Sequence, residues 1–193
     1  MLDKDEVKDT IINVARHIFS RFGFRKTTMD EIALATRKGK SSIYYYFNSK
    51  EDIFQAVVEK EAELLKNELS EAVSKVSDPR EKLKSYILVR MNAFKKLANF
   101  YDVMKNDYLS HLEFVNNIRN KYDQEEIMMF ENILKEGVSN GEFNIEYTNL
   151  AAVAIVTAMK GLEIPLFVEG NEQDIEKRID NLISILFYGL LKR

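Results

Sequence analysis

Apolar residues recur every three or four positions along almost the whole chain, which is the spacing of amphipathic helices. The first helix has its apolar face at Val7, Ile11, Val14, Ala15, Ile18 and Phe22. It should end near Gly23, since glycine is the common residue at a helix C-terminal cap. No strand pattern exceeds a few residues, and only two prolines and seven glycines interrupt the chain. The pattern therefore predicts an all-α fold of about nine helices.

Two short helices are predicted after Gly23. Thr28 followed by Glu31 forms a capping box, so a helix should begin near Met29. The basic run 37–40 breaks the apolar pattern, and Gly39 is expected to supply the backbone dihedrals of a tight turn. The next helix keeps Ile43 and Phe47 on one inward face. A helix, a short turn and a second short helix carrying polar groups are typical of a helix-turn-helix that inserts into a DNA major groove.

Longer helices should follow. Ser49 is placed to cap a helix that reaches about Val76. Asp78 and Pro79 mark the start of the next helix, with Glu81 completing its capping box. The later helices are predicted at about Asp102–Leu109, Glu113–Val138, Glu146–Leu162 and Asn171–Lys192, the last two separated by Ile164 and Pro165.

Charge is unevenly distributed along the chain. The net charge is −3, but residues 1–50 hold ten Lys and Arg against six Asp and Glu, so this part carries +4 and the remainder −7. A basic head on an acidic body is typical of a DNA-binding module attached to a larger domain. A solvated charged face is the alternative, which the helix-turn-helix pattern disfavours.

About 45 residues of this head resemble the DNA-binding domain of the tetracycline-repressor (TetR) family of bacterial transcription regulators. The matching residues are Phe22-Gly23-Phe24, Thr27-Thr28-Met29, Ile32-Ala33, Tyr44-Tyr45-Tyr46-Phe47 and Ser49-Lys50-Glu51-Asp52-Ile53. Arg37, Lys38 and Gly39 stand where the family usually carries Gly-Val-Ser, and Tyr46 stands at a common histidine position. An operator sequence therefore cannot be transferred from relatives.

The resemblance implies a DNA-binding domain at residues 1–48 and a helical effector-binding and dimerisation domain at residues 49–193. It implies a homodimer, most simply a repressor, that leaves its operator DNA when a small apolar or amphipathic effector binds. A cytoplasmic location is expected because the chain has no cysteine, which fits a reducing compartment. The long helix from Ser49 would act as the lever between two states. A DNA-bound regulator without a small-molecule inducer, controlled by a protein partner or acting as an activator, is the alternative. A purely structural helical oligomer would leave the basic, tyrosine-rich turn unexplained.

The residues expected to contact DNA fall into two groups. One group binds phosphates and positions the protein, and the other contacts base edges and reads the sequence. Thr28 and Lys50, at helix N-termini, should hold phosphates, and the resemblance adds the hydroxyl of Tyr45. Lys38 is either solvated or reaches the DNA backbone. The side chains expected to contact bases, or to offer hydroxyls at the start of the second short helix, are Lys40, Ser41, Ser42, Tyr44 and Tyr46. An inward-packed ring among the three tyrosines is the alternative, and for Tyr44 it is evenly balanced.

The middle of the chain is rich in methionine and aromatic residues, which suit an adaptable apolar pocket but are more often plain core. Arg90 shares a face with apolar residues, where a buried cation needs a partner. That partner could be Glu125 or Glu126, or an acidic ligand. The candidate effector residues are Arg90, Met91, Phe94, Tyr101, Met104, Tyr108, Tyr122 and Met129.

The last two helices carry more apolar surface than one core uses, which indicates either central core helices or a dimer interface. We favour a two-fold dimer, since paired recognition helices must reach half-sites about 34–36 Å apart. The candidate interface residues are Ile155, Met159, Ile179, Leu182, Ile183 and Leu186.

Nothing in the sequence supports catalysis, a cofactor or a metal site. Cysteine is absent, and His17 and His111 are the only histidines. No zinc-protease, P-loop, dinucleotide-binding or nucleophile-elbow motif occurs. The polar start is unlike a signal peptide, and charges interrupt the most apolar window, so no membrane span is expected.

Overall fold

The computed structural model describes residues 4–93, 96–105, 109, 112–167, 177, 180–181 and 183–185, and for residues 104–105 and 162–167 it describes the backbone alone. Eight helices have their bounds within this part of the chain. They are α1 (Lys4–Phe22), α2 (Met29–Ala35), α3 (Lys40–Tyr46), α4 (Lys50–Ser74), α5 (Pro79–Ala93), α6 (Ala98–Lys105), α7 (Glu113–Ser139) and α8 (Thr148–Phe167). No strand occurs among the described residues. The predicted all-α fold with an N-terminal helix-turn-helix and a C-terminal helical part is confirmed.

Local capping explains the starts of α4 and α5. Ser49 Oγ accepts a hydrogen bond from the Asp52 amide at 3.1 Å, so the predicted cap of α4 is confirmed. Asp78 Oδ1 accepts from the Arg80 amide at 2.7 Å in front of Pro79, the first residue of α5. Each contact satisfies an amide that has no partner within its own helix.

Two predicted boundaries were wrong. α6 begins at Ala98, four residues before the predicted Asp102, because its cap comes from a distant residue: Glu61 Oε2 accepts from the Phe100 amide at 2.8 Å. α8 continues to Phe167 instead of ending at Leu162, although proline at position 165 removes one helical hydrogen bond close to its end. Most of the predicted helix 171–192 lies outside the described residues, although Lys177, Asp180 and residues around Ile183 are helical.

The chain forms two compact units. The first contains residues 1–66 and 94–121, and the second contains residues 67–93 and 122–193. This division follows packing, and the functional boundary between residues 48 and 49 stays a prediction.

An aromatic cluster fills the core of the first unit. The Phe54 ring lies 5.0 Å from that of Phe19 and 4.7 Å from that of Phe24, measured between centroids. Ile32 of α2 and Ile43 of α3 are fully buried. The short helices, which would not be stable alone, are thereby fixed by tertiary packing.

A buried carboxylate also joins three elements of the first unit. Glu61 of α4 accepts from Arg16 Nε of α1 at 2.8 Å and from Asn99 Nδ2 of α6 at 2.9 Å, besides capping α6. Glu61 is almost fully buried. A buried charge with this many donors is held firmly, because losing one donor would leave the carboxylate poorly compensated.

The second unit has its own core on α5, α7 and α8. Tyr86 packs edge-on against Phe130 with ring centroids 4.5 Å apart. Its other buried apolar residues include Leu83, Ile87, Ile133, Leu134, Ala152, Val156 and Met159.

Candidate functional site

The start of α2 carries the predicted capping box. Thr28 Oγ1 accepts from the Glu31 amide at 3.3 Å, and the Thr28 amide donates to Glu31 Oε2 at 2.8 Å. Thr28 stays exposed. The cap therefore fixes the helix while leaving the threonine at the surface, as a phosphate contact would require.

The turn between α2 and α3 differs from the prediction in which residue adopts the unusual backbone conformation. Arg37 has φ +54°, whereas Gly39 has φ −65° and extended geometry. The Lys38 amide donates to the Ala33 carbonyl at 3.0 Å and the Arg37 amide donates to the Leu34 carbonyl at 3.1 Å. This is the Schellman motif, whose left-handed residue is usually glycine. The expectation for Gly39 was wrong because the motif places the left-handed residue directly after the Thr36 cap.

α3 presents its tyrosines away from the core. Ile43 and Phe47 are buried as predicted. Tyr44 is 44% exposed and Tyr45 69% exposed, so neither ring is a core residue. Tyr46 is half-buried and meets the Tyr45 ring edge-on at 5.0 Å between centroids.

The other residues of the turn and α3 that are predicted to contact DNA are also at least partly exposed to solvent. Lys40 and Ser41 are exposed, and Lys38 and Ser42 are half-buried. The exposed Lys40 ammonium lies 2.8 Å from Asp30 Oδ1. The hydrogen bond and the attraction to Asp30 raise the pKa of Lys40. Exposed ion pairs are weak, so this lysine can exchange its partner for a DNA acceptor.

Lys50 has an internal role that the sequence does not signal. Its Nζ donates to the Phe24 carbonyl at 2.9 Å and to the Thr27 carbonyl at 3.0 Å. It also lies 4.3 Å from the centroid of the Phe24 ring. An ammonium group has three donors, so Lys50 can clamp the loop before α2 and retain one donor for a phosphate.

The second unit contains a buried polar cluster at the predicted effector residue Arg90. Arg90 and Glu126 form an ion pair through Arg90 Nε, and both residues are only 2% exposed. The Tyr86 hydroxyl donates to Glu126 Oε1 at 2.9 Å. Burial, followed by the charge of Glu126, raises the pKa of Tyr86 well above its ordinary value, so the phenol stays protonated. Of the partners considered for Arg90, the structure supplies Glu126. Tyr86 was missed because its spacing matches that of ordinary core residues.

The remaining predicted effector residues are spread over both units. Met91, Tyr101 and Tyr122 are buried, and Met129 is half-buried. Tyr101 belongs to the first unit and the other three to the second. Phe94 and Tyr108 lie outside the described residues, and the side chain of Met104 is also outside them.

One open pocket of about 320 Å³ lies within the first unit, between the N-terminal parts of α4 and α7. None of the predicted effector residues lines it. Its lining residues are Glu51, Asp52, Gln55, Leu112, Glu113, Phe114 and Asn117.

α8 has one buried face and one exposed face. Met159, a predicted interface residue, is fully buried within its own chain, and Ile183 is nearly so, so neither has much surface to offer a partner. Ile155 is half-buried, whereas Ile179, Leu182 and Leu186 lie outside the described residues. The exposed face consists of apolar and small residues, namely Leu150, Val153, Ala154, Thr157, Ala158 and Gly161.

Two further classes of site are absent from the described part of the chain. No helix there has the length and apolar character to span a membrane. No group of three or more His, Asp or Glu side chains there has the arrangement of a metal site.

Both parts of the sequence match known protein families. The family described as "Bacterial regulatory proteins, tetR family" matches residues 11–57. The family described as "QacR-like protein, C-terminal region" matches residues 61–192.

Individual proteins are similar as well. The chain is 28% identical over 195 residues to the HTH-type transcriptional regulator QacR of Staphylococcus aureus, covering 97% of this chain and 99% of QacR. It is 42% identical over 52 residues to the S. aureus negative transcriptional regulator IcaR of a biofilm operon, covering 27% of this chain and 28% of IcaR. The fold matches that of the regulator FadR from Bacillus subtilis in complex with stearoyl-CoA, with a TM-score of 0.74, 20% identity and coverage of 95% and 99%.

Proposed function

The chain belongs to the TetR family of bacterial transcription regulators, and we propose that it is a repressor released from operator DNA by a small amphipathic or apolar effector. The family membership itself makes it a DNA-binding transcription regulator and not an enzyme. The proposal concerns the direction of regulation, the effector and the residues that contact each partner.

The observation that carries the DNA-binding part of the proposal is the capped helix-turn-helix with its core residues inward and its donors outward. Ile43 fixes α3 from within, while Lys40, Ser41 and Tyr44 are exposed on the same short helix. Lysine, serine and tyrosine supply hydrogen-bond donors for base edges and phosphates. We assign Thr28, Tyr45 and Lys50 to the phosphates, and Lys40, Ser41, Tyr44 and Tyr46 to the bases.

Repression is supported by IcaR, whose name describes a negative regulator and whose similarity spans 52 residues, or 27% of this chain. For a protein that occupies an operator and has no other activity, the simplest effect is to block transcription. An effector that binds better to the DNA-free state then lowers operator affinity by the ratio of its affinities for the two states.

An amphipathic effector is supported by the composition of the second unit. Its apolar core contains the cluster of Tyr86, Arg90 and Glu126, so apolar surface and charged hydrogen-bonding groups occur together. Arg90 is compensated by Glu126, and a ligand with an acidic head would compete with that carboxylate. The similar fold of FadR was solved with stearoyl-CoA, a molecule with an apolar tail and an acidic head.

Dimerisation through the exposed face of α8 completes the proposal. Ala154, Ala158 and Gly161 follow one another at helical spacing with little side-chain bulk. Such a face allows close helix approach, and Leu150 and Val153 add apolar area. A two-fold dimer would give the paired recognition helices that operator half-sites require.

DNA selection followed by titration with effector tests the proposal. Wild-type protein would select duplexes from a random library, and binding to the best duplex would be measured with stearoyl-CoA, stearate or CoA alone. We expect stearoyl-CoA to weaken DNA binding and CoA alone to have no effect. Unchanged operator affinity with all three probes, despite specific DNA binding, would favour the alternative of a regulator controlled by a protein partner.

A further inference from the structure

We propose that Lys4, in the first turn of α1, binds a DNA phosphate beside Tyr45 and extends the DNA-contacting surface beyond the helix-turn-helix. The inference rests on the proposed orientation of α3 toward DNA. It concerns a residue outside the two short helices, whose place in the sequence gives no sign of a DNA contact.

Two lysines show which side of α1 lies near α3. Lys4 Nζ is 5.2 Å from the centroid of the Tyr45 ring, and Lys8 Nζ is 5.6 Å from that of Phe47. Residues four apart share one face of a helix. Both ammonium groups are therefore held next to the end of the recognition helix.

Tyr45 links Lys4 to the proposed phosphate site. Its ring is 69% exposed, and its edge-on contact with Tyr46 limits the directions that the ring can take. A cation near the ring face is attracted by the negative potential of the π system. The ammonium and the phenolic hydroxyl thus lie on adjoining parts of one surface, where a single phosphate group can accept hydrogen bonds from both.

The charge of Lys4 is also available. Among the described residues, Lys4 has no carboxylate partner, whereas Lys40 is paired with Asp30 and Lys60 with Asp9. Lysine carries its charge on a flexible stem, so its ammonium can move from the ring to a phosphate without a change in the helix. DNA binding would then require no internal ion pair of Lys4 to be broken.

The salt dependence of DNA binding tests this role. Each phosphate neutralised by a cation contributes about 0.9 to the slope of log K against log salt concentration. For Lys4→Gln we expect the slope to fall by about 0.9 per protomer, with unchanged base preference. The affinity ratio of wild type to variant should shrink roughly eightfold per contact for each tenfold rise in salt. Lys4→Arg, which keeps the charge, should keep the slope.

Lys135→Gln is the matched control, because it also removes one exposed lysine charge but lies on α7 in the second unit. It should leave the slope unchanged, and melting curves of all variants confirm folding. If Lys4 only holds the Tyr45 ring in place, Lys4→Gln will change affinity without changing the slope, and the effect will disappear in a Tyr45→Ala background. An unchanged slope for Lys4→Gln, or the loss of its effect in the Tyr45→Ala background, overturns the inference. If wild-type protein itself shows no salt-dependent, sequence-specific binding, the proposed function fails instead.

Discussion

The ammonium group of Lys50 lies 3.0 Å from the carbonyl oxygen of Thr27, the residue directly before the cap of α2. Lys50 begins α4, so this contact joins the start of the long helix to the start of the helix-turn-helix. With the second bond to Phe24, it fixes the loop that places Thr28. Lys50 thereby stabilises the position of Thr28, which is also proposed to contact a phosphate.

Lys50→Met should consequently lower both stability and DNA affinity. Two hydrogen bonds from a half-buried charged group are lost, which should cost about 1–2 kcal/mol of unfolding free energy in urea melts. The salt slope of DNA binding should also fall by roughly one unit, because the third donor no longer reaches a phosphate. Unchanged stability would contradict the clamp, and an unchanged slope would contradict the phosphate contact. Lys38→Met serves as the comparison variant, because it also replaces a lysine by methionine but does not remove the two hydrogen bonds to the Phe24 and Thr27 carbonyls.

Arg37→Gly should stabilise the protein. A non-glycine residue at φ +54° carries a steric cost that glycine avoids, so we expect a gain of about 1 kcal/mol in unfolding free energy. Gly39→Ala is the paired variant: its added methyl group would meet only Ser41 Oγ at 3.8 Å, and its φ suits alanine. It should therefore be tolerated. Destabilisation by Arg37→Gly would show that the Arg37 side chain contributes more than its backbone costs.

Local signals predicted those parts of the fold that depend on neighbouring residues. The capping box at Thr28, the caps of α4 and α5 and the end of α1 next to Gly23 all involve partners within a few positions. Apolar spacing likewise gave the inward positions of Ile43 and Phe47. Such features can be derived from one segment at a time.

Features set by distant partners could not be derived in that way. α6 starts early because Glu61, 39 positions before Phe100 in the sequence, caps it. The choice of Glu126 over Glu125 for Arg90 depends on which face of α7 turns toward α5. The Lys50 clamp joins residues 23 and 26 positions apart. In each case the contact follows from tertiary packing and leaves no periodic pattern.

A charge on the exposed face of α8 should disrupt the proposed dimer. Ala154 and Ala158 lie one helical turn apart on that face, and replacing both with Glu would place two carboxylates in an apolar contact. We expect light scattering to give the monomer mass and specific DNA binding to be lost. Met128→Glu, an exposed apolar residue of α7, is the control and should remain dimeric. An unaltered dimer for the double variant would remove this face from the interface.

Gly137→Ala should destabilise the second unit. A methyl group at position 137 would overlap the ring of Phe143, which packs directly on the Gly137 backbone after the turn at Gly141. Overpacking of this kind typically costs about 1–3 kcal/mol, measurable by urea unfolding. In a Phe143→Ala background the same change should cost much less, because the overlap is gone. An equal cost in both backgrounds would assign the effect to the backbone instead of the ring.

Arg90→Met distinguishes a structural ion pair from a ligand anchor. Since Arg90 is paired with Glu126 in a buried site, the variant leaves a carboxylate without its cation, and we expect a loss of about 3–5 kcal/mol without any ligand. Adding Glu126→Gln should restore much of that loss, because the amide oxygen still accepts from Tyr86 while the charge is removed. Urea unfolding of both variants measures this. If Arg90→Met keeps wild-type stability in the absence of ligand but no longer responds to stearoyl-CoA, the pair with Glu126 contributes little and Arg90 acts mainly on the effector.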